Sequence, residues 1–319
     1  MFKIDVLVSI EGFKPFTASA IEWQTSVKDY INTASVTLPS KVWYKGNFVR
    51  ADEVIQEGKK INIYAGYNGN LQERFRGFIA RVNSSIPVVL TCEGYAYALR
   101  EVRGYSNYAQ NVTVKEILQE ILAGTGIKLS STNPEVRLSN VSLTNLSAWE
   151  VLDFIEEQGL RVFFKADVLY IDLEEKVTGR SVNLYLGRNT KKDKGLKFTD
   201  PDLANVGIKL NAPTGVTNGL FTEVTTTVGN ATSVVERQTL VDNPQNQRII
   251  AESLQRQEAT KGYEGSVTCF LSPLIEAGDK AEIKDNINPK RNGSYFVSEV
   301  KGKVSKSSCY QNVKLSYGI

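Results

Sequence analysis

Carboxylates are the side chains of this sequence with the greatest capacity for acid–base chemistry. The 319 residues include 35 Asp and Glu but no histidine, and histidine is the commonest general base and metal ligand. A Ser-His-Asp or Cys-His site therefore cannot form within one chain. A glycosidase needs only two carboxylates, and Glu156-Glu157 and Glu174-Glu175 are the candidate pairs. Because adjacent residues on a helix or strand point apart, we expect solvated surface, no catalytic residue and no enzyme.

The cysteines and glycines predict no second kind of chemical site. Cys92, Cys269 and Cys309 are widely spaced and odd in number, which fits neither a disulfide framework nor a zinc site. We expect them to be buried and to pack as small hydrophobes. No glycine-rich phosphate loop follows a predicted strand. The sequence thus predicts no metal site, no cofactor and no cofactor-binding residue.

Composition and charge indicate an ordinary folded protein. Hydrophobic residues make up 41% and charged residues 23%, and the net charge is only +3, which is too small to indicate a phosphate-rich partner. There is no apolar run of about twenty residues for a membrane helix, and the N-terminus lacks the features of a signal peptide. We expect a chain that is made in the cytoplasm, inserts in no membrane and binds no specific nucleic-acid sequence.

The first hundred residues are predicted to be strands and turns, because apolar and polar residues alternate with period two. The dipeptide Asn68-Gly69 favours positive φ and predicts a tight hairpin. The predicted strands are residues 2–10, 19–27, 34–38, 58–67, 75–82 and 88–93.

The middle of the chain changes to a helical pattern. Thr113 and Ser147 are each followed three residues later by a glutamate, which predicts two capping boxes in front of apolar stripes. Gly124 and Gly159 are placed as helix stops. A hairpin turning at Ala166-Asp167 follows. A polar helix is predicted from Pro244 to about residue 261, with Ile249, Ile250 and Leu254 as its apolar stripe.

Two strand-forming passages more than two hundred residues apart share one pattern. In each, a glycine, Gly58 or Gly278, opens a strand of period two. The strand after it carries positions spaced by two and then three residues. The extra residue predicts a β-bulge or sharp bend. We therefore expect equivalent strands in a duplicated domain; two unrelated antiparallel β domains are the alternative. The spaced positions are Gly77, Ile79 and Val82 in the first passage and Tyr295, Val297 and Val300 in the second.

The predicted fold class is α+β, mainly β, with two related antiparallel β-barrel domains flanking a mixed α/β insert. The first barrel is placed at residues 1–104, the insert at 105–180 and the second barrel at 181–319. Arg103, Tyr105 and Tyr108 cluster in a polar loop near the first boundary. Interfaces favour Tyr and Arg, so these three are candidate interface residues, although a plain linker explains the loop equally well.

Several segments carry a family resemblance, and their order and spacing hold over nearly the whole chain. They are residues 60–67, 75–79, 90–94, 113–122, 145–152, 278–283 and 292–297. In this arrangement the chain resembles the hub proteins of bacteriophage tails and related injection machines: the myophage baseplate hub, the late-control D tail proteins and the first module of type VI secretion spikes. One departure is Gly94, where many relatives carry an acidic residue. The resemblance also implies an alternative in which part of 181–210 completes the first barrel.

The resemblance implies a homotrimeric virion structural protein of the baseplate or tail tip. Each subunit would supply two barrels, so that a ring of six adapts a sixfold tail tube to a threefold spike, around a channel that DNA can traverse. The implied partners are the chain itself, a tail tube or distal tail protein, and a spike or tail-tip protein. We expect the spike to be a separate polypeptide, because the sequence ends after the last strand. The alternatives are a carbohydrate- or receptor-binding tail module, suggested by the 30 aromatic residues, and a peptidoglycan-cleaving tail enzyme.

Overall fold

The structure is a computed structural model. It describes residues 3–103, 107–108, 112–139, 141–174, 179–192, 197–198, 206–217, 220–229, 233–259, 263–289 and 292–318. The chain divides into two compact units, which we call unit 1 and unit 2. Unit 1 comprises Met1–Tyr97, Val177–Leu196 and Gly265–Ile319, and unit 2 comprises Ala98–Lys176 and Lys197–Glu264. The division into three domains, with predicted boundaries at residues 104 and 180, stays a prediction.

Strands dominate the described chain, and all but three of their pairings are antiparallel, so the mainly β, α+β class is confirmed. In chain order the strands are β1 Ile4–Ile10, β2 Ala20–Ser26, β3 Thr33–Leu38, β4 Lys41–Tyr44, β5 Asn47–Arg50, β6 Lys60–Tyr67, β7 Asn70–Asn83, β8 Val88–Glu93, β9 Asn107–Tyr108, β10 Val112–Thr113, β11 Lys128–Leu129, β12 Arg137–Leu138, β13 Val141–Ser142, β14 Arg161–Lys165, β15 Val168–Asp172, β16 Ser181–Tyr185, β17 Thr190–Lys192, β18 Lys197–Phe198, β19 Val206–Thr217, β20 Leu220–Val228, β21 Ser233–Gln238, β22 Tyr263–Glu264, β23 Ser266–Cys269, β24 Lys280–Lys284, β25 Gly293–Val304 and β26 Cys309–Gly318.

Helices are few in the described residues. None of them is long and apolar enough to span a membrane. They are α1 Ala51–Val54, α2 Val114–Leu122, α3 Ala148–Glu157, α4 Pro244–Ala259 and a 3-10 turn at Tyr95–Leu99. The sequence predicts α2, α3 and α4 but not α1, nor the β4–β5 hairpin beside it.

Unit 1 contains one twelve-stranded sheet built from two sets of six strands. The first set has the spatial order β1-β6-β7-β8-β3-β2, and the second has the order β16-β24-β25-β26-β23-β17. In both sets, the strands at corresponding places in the sheet follow one another in the same order along the chain. We call the first set repeat 1 and the second set repeat 2. They join through the antiparallel pairing of β2 with β25.

Backbone hydrogen bonds show that the two repeats share a register as well as a strand order. The amide of Gly58 donates to the carbonyl of Ile79, and the amide of Gly278 donates to the carbonyl of Val297, both at 2.8 Å. The amides of Ile79 and Val297 in turn donate to the carbonyls of Lys59 and Asp279, the residues after the two glycines, both at 2.9 Å. Both glycines have positive φ, which suits a residue without a Cβ. The predicted equivalence of β7 with β25 is confirmed.

The two-then-three spacing arises from a β-bulge in each of these strands. The ladder between β7 and β8 skips Ala80, and the ladder between β25 and β26 skips Ser298. A bulge places an extra residue in one strand and bends it, as the sequence pattern predicts. Strand β25 has a further irregularity between Tyr295 and Val297.

The described pairings leave each repeat open, since none of them joins the first strand of a set to the last. No closed barrel is therefore defined by the described strands. Strands β16 and β17 pair with β24 and β23, and no described pairing connects residues 181–192 to strands of repeat 1. In repeat 1 the first strand runs antiparallel to its neighbour β6, whereas in repeat 2 the first strand, β16, runs parallel to β24.

The core of unit 1 follows the alternation in the sequence. On β3 and β6 every second side chain is buried, among them Val36, Leu38, Ile61 and Ile63. Each such side chain contributes roughly 1.5–3 kcal/mol on burial. The turn at Asn68-Gly69 has positive φ at both residues, and this backbone closes β6 and β7 into the predicted hairpin.

Unit 2 begins with the two predicted capping boxes. The amide of Thr113 donates to the Glu116 carboxylate at 2.8 Å, and the amide of Ser147 donates to the Glu150 carboxylate at 2.6 Å. In return, each serine or threonine hydroxyl accepts from the glutamate amide. Both helices end shortly before a glycine of positive φ, as predicted. These local bonds satisfy amides at the helix starts.

Helix α4 in unit 2 buries a polar side chain that its apolar stripe does not reveal. Ile250 and Leu254 are buried as predicted. Gln247 is also fully buried, and it donates to the carbonyl of Val241 at 2.7 Å and accepts from the Thr226 hydroxyl at 2.8 Å. A buried amide needs such partners, and here they come from the segment just before the helix and from strand β20.

The Ser147 cap is expected to contribute measurably to the stability of unit 2. Ser147→Ala should lower the free energy of unfolding by about 1 kcal/mol at pH 7. Hydrogen bonds from Ser147 lower the pKa of Glu150 from its ordinary 4.5. The contribution of the carboxylate is therefore present above pH 4.5 and is lost as pH falls through the lowered pKa, so the difference between variant and wild type should shrink there. Urea denaturation followed by circular dichroism measures both effects.

The matched control for this variant is Thr144→Ala, in the exposed turn before the cap. It should change the free energy of unfolding by less than about 0.5 kcal/mol. Equal losses in the two variants, or a Ser147→Ala loss that does not vary with pH, would contradict the expected role of the cap.

Candidate functional site

The carboxylate pairs singled out in the sequence do not converge on a shared site. On α3, Glu157 is exposed and Glu156 is half-buried. Glu174 forms an ion pair with Arg256 of α4, and Glu175 lies outside the described residues. No group of three or more acidic or cysteine side chains within the described residues is placed to hold a metal ion. Hydrogen bonds lower the pKa values of Glu116, Glu150 and Glu282, whereas a general acid needs a raised pKa.

The predicted interface cluster is only partly described. Arg103 is exposed, and its backbone forms an antiparallel bridge with Ser147. The backbone of Tyr108 pairs with Val141 in β9 and β13, whereas Tyr105 lies outside the described residues. The role of Arg103, Tyr105 and Tyr108 at an interface stays a prediction.

The three cysteines are free and buried, as predicted. Burial raises the pKa of Cys92 and of Cys269 to about 12. Since the thiolate is the reactive form, neither thiol is a nucleophile near neutral pH. They belong to the packed interior of unit 1.

The most unusual contacts in unit 1 lie where repeat 1 meets repeat 2. Strands β2 and β25 pair from Ile21 opposite Val304 to Ser26 opposite Glu299, which makes the twelve strands continuous. Side chains and one loop then cross the same boundary. We call this set the junction, and its members are Trp23, Tyr67, Arg74, Leu271, Gly302 and Cys309.

Trp23 packs directly on the backbone of the opposite repeat. It lies across from Gly302 in the β2–β25 ladder, and a Cβ at Gly302 would sit 1.9 Å from the indole ring. Glycine within a strand often marks a place where another group approaches the backbone closely. Trp23 is itself buried, so the indole seals the seam between the two repeats.

Arg74 places a charge inside the junction. Its side chain is only 6% exposed, with the guanidinium 5.8 Å from the Trp23 ring centroid. It donates from Nη2 to the carbonyl of Leu271 at 2.6 Å and from Nε to that of Ala65 at 3.3 Å. Desolvation lowers the pKa of Arg74 to about 10, so the group remains protonated at neutral pH. The two carbonyl acceptors and the aromatic face compensate this buried cation in part for lost water, while its Nη1 is buried without a hydrogen-bond partner among the described residues.

A register shift in β6 and β7 explains why Arg74 points inward. Ile63 pairs with Phe75 and Tyr64 pairs with Glu73, so Arg74 is the residue that the ladder skips. Both Arg74 and its neighbour Phe75 are consequently buried. The bulge breaks the alternation that would otherwise leave an arginine in solvent.

The loop after β23, residues 270–273, inserts into repeat 1. The side chain of Leu271 is fully buried in the core of repeat 1. Its amide donates to the Tyr67 hydroxyl at 3.3 Å while its carbonyl accepts from Arg74. Desolvation and a contact of 3.5 Å with the Cys309 sulfur raise the pKa of Tyr67 to about 12. The Gln311 side chain fixes the loop further by donating hydrogen bonds to the carbonyls of Phe270 and Pro273.

The junction holds two repeats together, and the chemistry of its groups fits that role. Arg74 and Tyr67 keep their proton near neutral pH and face protein atoms. Sequence analysis missed the junction, because its members come from four separated segments: β2, the β6–β7 hairpin, the 270–273 loop and the β25–β26 hairpin. Gly302, inside β25, is the residue of the junction whose type could have signalled a close approach.

Gly302→Ala is expected to destabilise unit 1 by about 1–3 kcal/mol, because the added methyl group overlaps the Trp23 ring. Trp23→Leu should also destabilise, since it leaves a cavity. In the double variant the smaller leucine makes room for the methyl group, so the combined loss should be less than the sum of the single losses. Denaturant unfolding of the four proteins measures this coupling. Additive losses would show that Gly302 and Trp23 do not act together.

Neither protein-family models nor curated proteins match this sequence. Solved structures match its fold over nearly the whole chain. The prophage MuSo2 43 kDa tail protein from Shewanella oneidensis has a TM-score of 0.66 at 12% identity, covering 99% of this chain and 98% of that chain. The tail protein from Neisseria meningitidis MC58 has a TM-score of 0.65 at 13% identity, with coverages of 98% and 96%.

A third structure comes from a secretion system. The E. coli c3393 protein, described as a type VI secretion component with structural similarity to the T4 tail proteins gp27 and gp5, has a TM-score of 0.59 at 12% identity. The match covers 98% of this chain and 76% of that chain. Identities this low establish the fold. The resemblance inferred from the sequence is thus confirmed at that level, and this chain has the fold of these phage tail and type VI secretion proteins.

Proposed function

We propose that this chain is a structural hub of a phage tail or of a phage-like injection device. The observation that carries the proposal is the duplication in unit 1, where two repeats with the same strand order and register are joined side by side. Three such chains would supply six repeats. The hub would then present six similar faces to a sixfold tail tube and three identical subunits to a threefold spike.

Differences between the two repeats support the proposed contact of the hub with a threefold spike. Among the described residues, repeat 1 carries the β4–β5 hairpin and repeat 2 has no counterpart, and the first strand runs in opposite senses relative to its neighbour in the two repeats. A ring of six such repeats would therefore alternate two kinds. Common strands would serve the sixfold contact, and the alternating features would serve the threefold contact.

The partners in this proposal are further copies of the chain, a tail tube or distal tail protein, and a separate spike or tail-tip protein. The proposed location is the baseplate or tail tip of the virion. Another structure with this fold comes from a Francisella PdpA–VgrG complex, with a TM-score of 0.54 at 12% identity. The match covers 99% of this chain and 58% of that chain, so this chain spans less than two thirds of that protein. That complex supports the idea that chains with this fold bind other proteins.

The proposed hub acts by geometry. The polar groups of the junction hold chain segments, and the described carboxylates do not gather into a site. The carbohydrate-binding and peptidoglycan-cleaving alternatives stay predictions, and neither is favoured by a feature of the described residues.

The purified chain is expected to form trimers. Size-exclusion chromatography with light scattering should give three times the chain mass at high concentration, and negative-stain electron microscopy should show rings with six lobes. Adding purified tail tube protein should retain the trimer on the tube end. A chain that stays monomeric at every concentration, with and without tube protein, would overturn the proposal.

A further inference from the structure

We propose that a second copy of this chain docks head to tail on repeat 2, with its β4–β5 hairpin seated between β17 and the β24–β25 turn. This inference rests on the proposed trimer and names its subunit contact. Two surfaces are involved. The aromatic hairpin is Lys41–Arg50, which carries Trp43 and Phe48. The receiving face is formed by Leu186, Gly187, Thr190, Lys191, Asp285, Ile287 and Asn288.

The contact inside each chain provides the template. Repeat 1 receives repeat 2 in the space between its outer strand β2 and the far end of its β6–β7 hairpin, where Trp23, Arg74 and Tyr67 lie. The group that enters this space is the 270–273 loop, which directly follows β23. In this template, the segment that follows β23, the fifth strand of repeat 2 in spatial order, docks beside β2, the sixth strand of repeat 1 in spatial order.

The same space exists on repeat 2, at the equivalent strands. In the shared strand order β17 corresponds to β2, and the β24–β25 turn corresponds to the end of the β6–β7 hairpin. Between these elements lies a cavity of about 210 Å³, lined by the receiving face. Ile287 on its rim is 89% exposed, so the edge of the cavity carries a large apolar side chain that a docked copy would cover.

The segment equivalent to the 270–273 loop is the aromatic hairpin, because it directly follows β3, the counterpart of β23. Trp43 and Phe48 face each other in its ladder, with ring centroids 5.0 Å apart, and they are 55% and 69% exposed. Val42 is buried beneath them and anchors the hairpin to repeat 1. A paired, exposed Trp and Phe is typical of the centre of a protein interface.

The two surfaces differ from each other, so the contact is heterologous and propagates from one copy to the next. It would also differ from the junction in one respect. Strand β25 continues to Val304 and pairs with β2 along six residues, whereas β7 ends at Asn83. The contact between subunits would therefore contain fewer backbone hydrogen bonds than the junction, and the apolar hairpin would supply more of its area.

Cysteine cross-linking tests this contact with the native cysteines in place, since all three are buried. Phe48→Cys and Ile287→Cys are prepared as separate proteins, mixed, allowed to exchange subunits, and treated with a short bis-maleimide. A head-to-tail contact should give covalent dimers in the mixture but not in either variant alone. The double variant F48C/I287C should give covalently closed trimers.

The matched control replaces Ile287→Cys with Val234→Cys, an exposed apolar position in unit 2. It should give no cross-link with Phe48→Cys. Cross-linking of Phe48→Cys to itself would indicate a twofold contact and overturn the inference. Trimers by light scattering without a Phe48–Ile287 cross-link would also overturn it, while leaving the proposed hub intact. A wild-type chain that is monomeric at every concentration would remove the proposed trimer as well.

Removing the two rings of the aromatic hairpin tests independently how much they contribute to trimer association. Trp43→Ser combined with Phe48→Ser should weaken trimer association roughly 100-fold or more, because rings at interface centres dominate binding. Thermal unfolding of the variant monomer should be nearly unchanged, because both rings are exposed in the single chain. Val234→Ser is the control and should leave association unaltered. Association of the double variant within about twofold of wild type would contradict the proposed contact.

Discussion

The pairing of β2 with β25 is the contact on which unit 1 depends, because it joins segments from opposite ends of the chain into one sheet. Without it, each repeat would expose an edge of unpaired amides and carbonyls. The Trp23 ring packs closely against Gly302 at this seam, and the Arg74 guanidinium lies near the same ring. The seam thus combines a backbone ladder, a large apolar ring and a buried charge that carbonyl oxygens partly compensate.

The buried arginine also shows how specificity enters an otherwise apolar core. A hydrophobic residue in place of Arg74 could fill the space, but it would leave the carbonyl of Leu271 without its donor. Buried polar groups cost free energy when unpaired, so the arginine selects the loop position in which that carbonyl reaches it. The 270–273 loop is thereby fixed in repeat 1, and this fixed insertion is the template for the contact that we propose between subunits.

Much of the fold could be predicted from the sequence where the cause is local. The six strands of repeat 1, the capping boxes at Thr113 and Ser147, and the turn at Asn68-Gly69 each depend on residues a few positions apart. The equivalence of β7 and β25 was also visible, because a bulge leaves its extra residue in the spacing of the apolar positions. The β4–β5 hairpin was missed because each of its strands has only four residues and Trp43 and Phe48 are exposed, so that Val42 and Val49 are all that mark its inner face. Gln247 was missed because a polar residue in a helix is ordinarily exposed.

The sequence by itself determined the strand content, the duplication and the absence of histidine chemistry, since these follow from residue types and short-range spacing. Only the tertiary structure decided which strands adjoin, that two segments of the chain leave unit 1 to form unit 2, and that the repeats meet through Trp23, Arg74 and Leu271. The physical reason is that these contacts join residues about two hundred positions or more apart. Their free energy depends on burial and register in three dimensions, and a one-residue slip in a ladder, as at Arg74, reverses which side chain is buried.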